Sequence, residues 1–133
     1  ERPMASHPLV AAGDHHMAVQ RSGANVVVVW NRQAQVNGPR PAVDVMFESL
    51  ARCAGRNLLA GLLTGMGKDG ARGLLAIRQA GGYTLAQDEA TCVVYGMPRE
   101  AVELGAAEDV LPLERIAAAL LQQAARRGSG NRL

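Results

Sequence analysis

Apolar residues are spaced differently in the two halves of the chain. Over residues 9–31 they form short runs separated by turn residues, and the longest run, Val26–Val29 followed by Trp30, is strongly β-branched. Such runs are typical of strands, and polar turn residues such as Ser22 and Gly23 lie between them. The pattern predicts an antiparallel excursion here rather than a strand–helix–strand unit.

From residue 43 onward, helical and strand spacings alternate. The predicted elements, in chain order, are a helix over 43–54 that ends at Gly55, a strand over 58–63, a helix around 74–77, a strand over 83–86, a helix over 98–104, a strand at 110–111 and a helix over 113–124. This alternation predicts an α/β fold, with a doubly wound and mostly parallel sheet in a three-layer αβα arrangement. The short antiparallel hairpin region lies near its N-terminus.

Length and composition indicate one globular domain. With 133 residues, 48% hydrophobic, 20% charged and only 3% aromatic, the chain can build an aliphatic core. We expect this domain to span residues 1–125, followed by a polar, flexible tail over 126–133. No apolar run approaches the roughly 18 residues that a membrane span needs, so no membrane insertion is expected. The start, Glu1-Arg2-Pro3-Met4, has no signal architecture and suggests a piece of a longer chain.

Charge and cysteine usage narrow the function classes further. The net charge is +2, and the basic residues are scattered without interleaved aromatics, so no nucleic-acid partner is predicted. Cys53 and Cys92 lie among apolar neighbours, which predicts buried free thiols in a reducing, cytoplasmic compartment. No pair or cluster of Cys and His has metal-ligand spacing, so neither a metal site nor a cofactor is expected.

The glycine-rich loop after the predicted strand 58–63 is the main candidate for chemistry, because ligands in such sheets bind at the carboxyl ends of strands. Gly65 to Gly70 matches G-x-G-x-x-G, with Asp88 and Glu89 roughly 20 residues on, as in a dinucleotide-binding fingerprint. Against this, Asp69 at the start of a helix would repel a pyrophosphate. A P-loop is excluded, since Asp rather than Ser or Thr follows the Gly-Lys pair.

Asp69 itself has two other interpretations. Its carboxylate can cap the helix that follows, with the glycines serving only a tight turn. Alternatively, it can orient a catalytic histidine, because catalytic acids often lie on loops at the carboxyl edge of a sheet. The spacing alone leaves both open.

Several stretches closely resemble the CheB-type chemotaxis protein-glutamate methylesterase family. They occur in order over about residues 9–121 and cover nearly the whole chain. These stretches are Ala11–Met17, Pro41–Phe47, Leu62–Gly73, Gly81 to Glu89 and Val93–Pro98.

The resemblance implies a function and assigns some of its residues. Members hydrolyse glutamate methyl esters on chemoreceptors and deamidate some glutamines there, with a Ser-His-Asp triad on a doubly wound parallel sheet, usually behind a receiver domain. It implies that Asp69 is the triad aspartate. It also places Met66, between Gly65 and Gly67, in the loop whose backbone amide helps to hold the oxyanion.

The family's nucleophile and base lie in segments upstream of everything matched here, so the resemblance implies the C-terminal two thirds of a catalytic domain without its first βα units. The family's serine turn and His-Met-Pro segment have no counterpart in this sequence. The segment His15-His16-Met17 continues with Ala18 rather than proline, so His15 and His16 are expected in a loop near the rim of the active site. His7 is unassigned. The chain is then a piece of an active enzyme or, alternatively, a non-catalytic receptor-binding remnant. By itself we expect it to be inactive and to self-associate through an uncovered sheet edge.

Overall fold

The structure, a computed structural model, describes residues 16–22, 25–31 and 43–130, with side chains between residues 43 and 127. Five strands and four α-helices lie in these ranges, and a short 3₁₀ turn, Gly55–Asn57, follows the first helix. In chain order the elements are β1 (His16–Ser22), β2 (Asn25–Asn31), α1 (Val43–Ala54), β3 (Leu59–Leu62), α2 (Ala71–Gln79), β4 (Tyr83–Gln87), α3 (Met97–Leu104), β5 (Asp109–Leu111) and α4 (Leu113–Gly130).

The first two strands form the antiparallel hairpin that the alternating pattern predicts. His16 of β1 lies opposite Asn31 of β2, and Ser22 lies opposite Asn25. Strand β1 runs beside helix α1. The predicted strand over 9–12 and the connector over 38–41 lie outside the described residues.

The other three strands form a parallel sheet in the order β3-β4-β5. Leu59 pairs with Tyr83 at one end of β3, and Leu85 pairs with Asp109 on the other side of β4. Consecutive parallel strands joined by helices define an α/β fold, so the predicted fold class is confirmed.

Helices cover both faces of this sheet, because alternate strand residues point to opposite sides. On one face, Ala60 and Leu62 of β3 pack with α1, α2 and α3. On the other, Tyr83 and Leu85 of β4 pack against α4, where Ile116 is buried. The residues of the first cluster are Phe47, Ala60, Leu62, Ala71, Leu74, Ile77, Ala101 and Ala106. The three-layer arrangement therefore rests on two cores that are mostly aliphatic, with Phe47 in the first and Tyr83 in the second.

Two predicted boundaries differ from the structure. Strand β3 has four residues rather than six, and Leu63 lies outside it with 44% of its surface exposed. Helix α4 continues to Gly130, so residues 125–130 extend the helix beyond its predicted end at 124. The Arg127 guanidinium donates hydrogen bonds to the carbonyls of Arg56 and Gly81, which ties this part of α4 to the 3₁₀ turn after α1 and to the turn before β4.

The burial of the two cysteines differs from the prediction. Cys53 and Cys92 are thiols, as predicted, but both are half-buried rather than buried.

Over the ranges that the structure describes, no helix combines the length and apolarity that a membrane crossing requires.

Candidate active site

The glycine-rich loop joins the carboxyl end of β3 to the start of α2, as predicted. Gly67 and Gly70 adopt positive φ angles of 94° and 101°, which an L side chain rarely adopts, so the turn needs glycine at both positions. Asp69 lies directly before Gly70, at the carboxyl edge of the sheet. The sequence therefore placed this carboxylate at the correct edge.

The hydrogen bonds of Asp69 show that its carboxylate does not cap the helix that follows it. One carboxylate oxygen accepts from the Val43 amide at 2.7 Å, and the other accepts from the Asp44 amide at 3.0 Å. These are the first two amides of α1. The N-cap of α2 is Gly70, which has no side chain that could cap the helix. Asp69 thus caps a helix more than twenty residues earlier in the chain, and its bonds are not with the 66–70 loop.

A second carboxylate returns the interaction. Asp44, in the first turn of α1, accepts a hydrogen bond from the Gly73 amide of α2 at 2.7 Å. Only 3% of its surface is exposed. Burial raises the pKa of Asp44 and the nearby Asp69 charge adds to this, while hydrogen bonds from the Gly73 and Gly70 amides and the charge of Arg72 act in the opposite direction.

The raised pKa of Asp44 predicts a pH-dependent stability difference. Above pH 3.8, its usual value, the folded protein binds more protons at this site than the unfolded chain does, so the contribution of Asp44 to stability falls as pH rises through that window. Asp44→Asn removes this titration. We expect the free energy of unfolding of the variant, relative to the unaltered protein, to increase from below pH 3.8 to neutrality in paired denaturant titrations. A difference that is constant with pH would contradict the assignment.

A second loop, between β4 and α3, holds the glycine-rich loop in place. The Gly65 amide donates to the Val94 carbonyl at 3.0 Å, and the Met97 amide donates to the Gly65 carbonyl at 2.8 Å. The Thr64 hydroxyl accepts from the Val94 amide at 2.8 Å. These bonds form a short parallel bridge between Gly65 and Tyr95 that continues the line of the sheet.

Gly96 permits this close approach. A Cβ atom built at Gly96 would lie 2.6 Å from the Gly65 carbonyl oxygen, 3.0 Å from the Gly67 nitrogen and 3.2 Å from the Met66 Cα. All three are backbone atoms, so no side-chain rotation relieves the contact. Gly96 was not predicted as a site residue, because its only signal in the sequence was its position within one of the matching stretches.

Gln87, at the carboxyl end of β4, also supports both loops. Its side-chain oxygen Oε1 accepts from the Thr64 backbone amide at 2.8 Å, and its side-chain nitrogen Nε2 donates to the Thr91 carbonyl at 2.8 Å. The side chain is 1% exposed, which leaves it no water to replace these partners. A polar residue at the end of a predicted buried strand is the signal that could have identified it.

The Met66 side chain lies on the surface with 82% of its area exposed. Among the residues that the structure describes, the Met66 and Gly67 amides donate no hydrogen bond to the protein. Backbone amides on a rigid loop are the usual donors to a developing oxyanion. The two bonds of the Gly65 carbonyl and the Gly96 contact make this loop rigid.

The same geometry does not favour the dinucleotide interpretation. The Gly73 amide, in the first turn of α2 where a pyrophosphate would bind, is already occupied by the Asp44 carboxylate. Asp88 accepts from the Thr91 amide and hydroxyl at 3.0 and 2.6 Å, so it closes its own turn. Within the described ranges, no three His, Cys, Asp or Glu side chains are grouped to hold a metal ion.

Among residues 43–127, whose side chains the structure describes, no serine or histidine side chain bonds to Asp69. His16 begins β1 rather than lying in the expected loop, and Ser22 ends that strand rather than occupying a turn. Ser49 is buried within α1 and donates to the Met46 carbonyl. Burial raises the pKa of the Cys92 thiol, the nearby Asp88 charge adds to this, and a thiol held protonated is a weak nucleophile. The positions of Ser6, His7 and His15 lie outside the described residues.

The fold and the loop define an α/β domain with an aspartate at the carboxyl edge of its parallel sheet. The model of the CheB methylesterase family matches residues 1–120, and the chain belongs to that family. Its similarity extends to complete relatives named protein-glutamate methylesterase/protein-glutamine glutaminase. The relative from Pseudomonas aeruginosa is 91% identical over all 133 residues, and that from Chromohalobacter salexigens is 53% identical.

The chain spans only 38% of the length of either relative. A solved structure, the crystal structure of the Thermotoga maritima CheB methylesterase catalytic domain, superposes with a TM-score of 0.81 at 37% sequence identity. That superposition covers 84% of this chain and 59% of the Thermotoga domain. The relatives and the solved domain therefore agree on the family and on the fold.

Proposed function

We propose that this chain is part of a cytoplasmic chemotaxis methylesterase that hydrolyses glutamate methyl esters, and deamidates glutamines, on chemoreceptors. In this proposal Asp69 is the acid of a Ser-His-Asp triad whose serine and histidine come from other parts of the complete protein. The Met66 amide, held between Gly65 and Gly67, donates to the oxyanion. The names of the relatives support the ester and amide substrates.

The placement of Asp69 is the observation that carries the proposal. An ionised carboxylate has about four acceptor positions, and the Val43 and Asp44 amides use only two of them. The remaining lone pairs can accept the Nδ1–H of a histidine, which fixes the tautomer that deprotonates a serine. The two amide bonds then serve catalysis, because they hold the carboxylate still.

The test uses a complete enzyme. The segment of the P. aeruginosa relative that matches this chain is replaced by these 133 residues, and methanol release from methylated chemoreceptor is measured. We expect turnover close to that of the unaltered relative, because the two segments are 91% identical. A folded chimera that releases no methanol would contradict the proposal.

The alternative function is a non-catalytic module that only binds receptor. Both functions predict that the isolated chain is retained on immobilised receptor in a pull-down. They differ in the complete protein, where an enzyme releases methanol and a binding module does not. The aspartate at the sheet edge favours the enzyme, since receptor binding alone needs no rigidly held carboxylate there.

We also expect the isolated chain to self-associate rather than remain a monomer. In the described sheet β3 pairs only with β4, so one edge of β3 has unpaired backbone groups. Exposed apolar side chains add to this tendency, including Val93 at 89% and Leu121 at 71%. Sedimentation at micromolar concentration should show dimers or larger species. A stable monomer would contradict the expectation. If a chain that also carries an upstream receiver domain and the rest of the enzyme forms the same species, the uncovered edge of β3 is not the cause of self-association.

A further inference from the structure

The first turns of α1 and α2 are capped by each other's carboxylates. Asp69, one residue before the N-cap of α2, accepts the Val43 and Asp44 amides at the start of α1. Asp44, in that same turn of α1, accepts the Gly73 amide of α2 at 2.7 Å, and a hydrogen bond from the Gly70 amide lowers its pKa. Each helix supplies to the other the cap that its own sequence lacks.

This reciprocal arrangement determines where Asp69 can lie. Gly70 follows Asp69 directly, and the bonds of Asp44 hold the Gly70–Gly73 turn against α1. The two helices are in close contact, since a Cβ at Gly73 would lie 2.5 Å from the Phe47 Cβ and 3.1 Å from the Asp44 Cα. Loss of the Asp44 carboxylate would leave buried amides without a partner at this contact and would release the turn that carries Asp69.

We propose that Asp44 is a positioning residue of the active site, which holds the Asp69 carboxylate in the orientation that the catalytic histidine requires. The proposal rests on the proposed function of Asp69. Asp44 is 3% exposed, so it does not touch a protein substrate and acts only through Asp69. The main chain and the side chain of Asp44 both take part, since its amide donates to Asp69 while its carboxylate binds α2.

Among residues 43–127, the charged groups around Asp44 come from the glycine-rich loop, α2 and α3. Asp69 lies in the loop and Arg72 in the first turn of α2, and their charges act on the Asp44 carboxyl in opposite directions. Lys68 of the loop and Glu100 and Glu103 of α3 line the adjoining groove. The single variants at position 44 leave all of these groups in place, so they change only the carboxylate at that position.

The experiment compares three variants of the complete chimera described above. Asp44→Ala should lower kcat on the order of 10²-fold with little change in KM, because a displaced orienting group affects the chemical step. Asp44→Asn should recover most of the loss, since its amide oxygen still accepts from Gly73. Ser49→Ala is the matched control, because Ser49 is a buried polar residue of the same helix, 1% exposed, and its hydroxyl donates to the Met46 carbonyl.

The pH profile separates positioning from stability. The Asp69 carboxylate stabilises the protonated histidine, so a displaced Asp69 lowers the histidine pKa and moves the acid limb of kcat/KM to lower pH. We expect this shift in Asp44→Ala and not in Ser49→Ala. In an Asp69→Asn background, Asp44→Ala should lower kcat no further, since both changes act through one group. An additive loss, or an unshifted acid limb, overturns the proposal.

The outcomes also distinguish the two proposals. Unchanged turnover in Asp69→Asn overturns the proposed function of Asp69 and the role of Asp44 with it. A large loss in Asp69→Asn together with wild-type kcat in Asp44→Ala overturns only the role of Asp44. If Asp44→Ala does not fold, Asp44→Leu takes its place, because leucine is close in size to aspartate and has no acceptor for the Gly73 amide. Wild-type kcat and an unshifted profile in folded Asp44→Leu overturn the proposal equally.

Discussion

Asp69→Asn in the complete chimera should lower kcat by about 10⁴-fold, because an amide in place of the carboxylate favours the wrong histidine tautomer and does not stabilise the imidazolium. The side-chain NH₂ group of the variant would also face either the Val43 or the Asp44 backbone amide, and both of these are themselves donors. We therefore expect a second, smaller effect of about 1 kcal/mol on the free energy of unfolding. Methanol release and denaturant unfolding measure the two effects separately.

Asp88→Asn is the matched control for this change. Asp88 also lies at the carboxyl edge of the sheet, and its oxygen also accepts a backbone amide, that of Thr91 at 3.0 Å. The variant loses the same unit of charge at the same edge, but the Asp88 carboxylate bonds to Thr91 within its own turn. Turnover should stay within a few-fold of the unaltered enzyme, a difference of less than about 1 kcal/mol in the barrier. Equal losses in the two variants would contradict a specific role for Asp69.

Gly96→Ala should have the second largest effect. The new methyl group would overlap the Gly65 carbonyl at 2.6 Å and crowd the backbone of Met66 and Gly67, so the oxyanion loop must move. Displacement of one oxyanion donor lowers kcat by about 10²- to 10³-fold. KM should change less, because the substrate protein binds over a larger surface. The comparison of kcat and KM for methanol release, with the folded fraction measured by circular dichroism, tests this expectation.

Gly105→Ala supplies the control at the opposite end of the same helix. Gly105 ends α3 at a φ of 77°, and a Cβ built there meets no atom within 4 Å. The change introduces backbone strain of roughly 1–2 kcal/mol without touching the loop. We expect Gly105→Ala to lower stability and to leave kcat unchanged. If its kcat falls as far as that of Gly96→Ala, the effect of Gly96 comes from α3 stability and not from the loop.

Local patterns predicted the parts of the fold that depend on neighbouring residues. The β-branched run in β2, the helical spacing of α1 and the glycine that ends α3 each specify their own backbone conformation. The alternation of strands and helices then leads to the parallel sheet. The end of α4 escaped prediction, because it depends on bonds from Arg127 to Arg56 and Gly81, which are distant in sequence.

The site was predicted in place but not in its contacts. Asp69 follows a strand and precedes a helix, which places it at the sheet edge. Nothing in the local sequence shows that it caps α1 rather than α2, because the partner amides lie 25 and 26 residues away. Asp44 and Gly96 escaped for the same reason, since a buried carboxylate in a helix and a glycine in a loop acquire their roles only through tertiary contact.

The hydrogen bond from the catalytic histidine to Asp69 is the contact on which this account depends. Proton NMR of the complete chimera, with nitrogen-15 labelled histidine, detects such a bond as a strongly downfield Nδ1–H signal. The account predicts one such signal in the unaltered protein and in Asp88→Asn, and its loss in Asp69→Asn. A downfield histidine signal that persists unchanged in Asp69→Asn would contradict the account, because the histidine would then be oriented by another group.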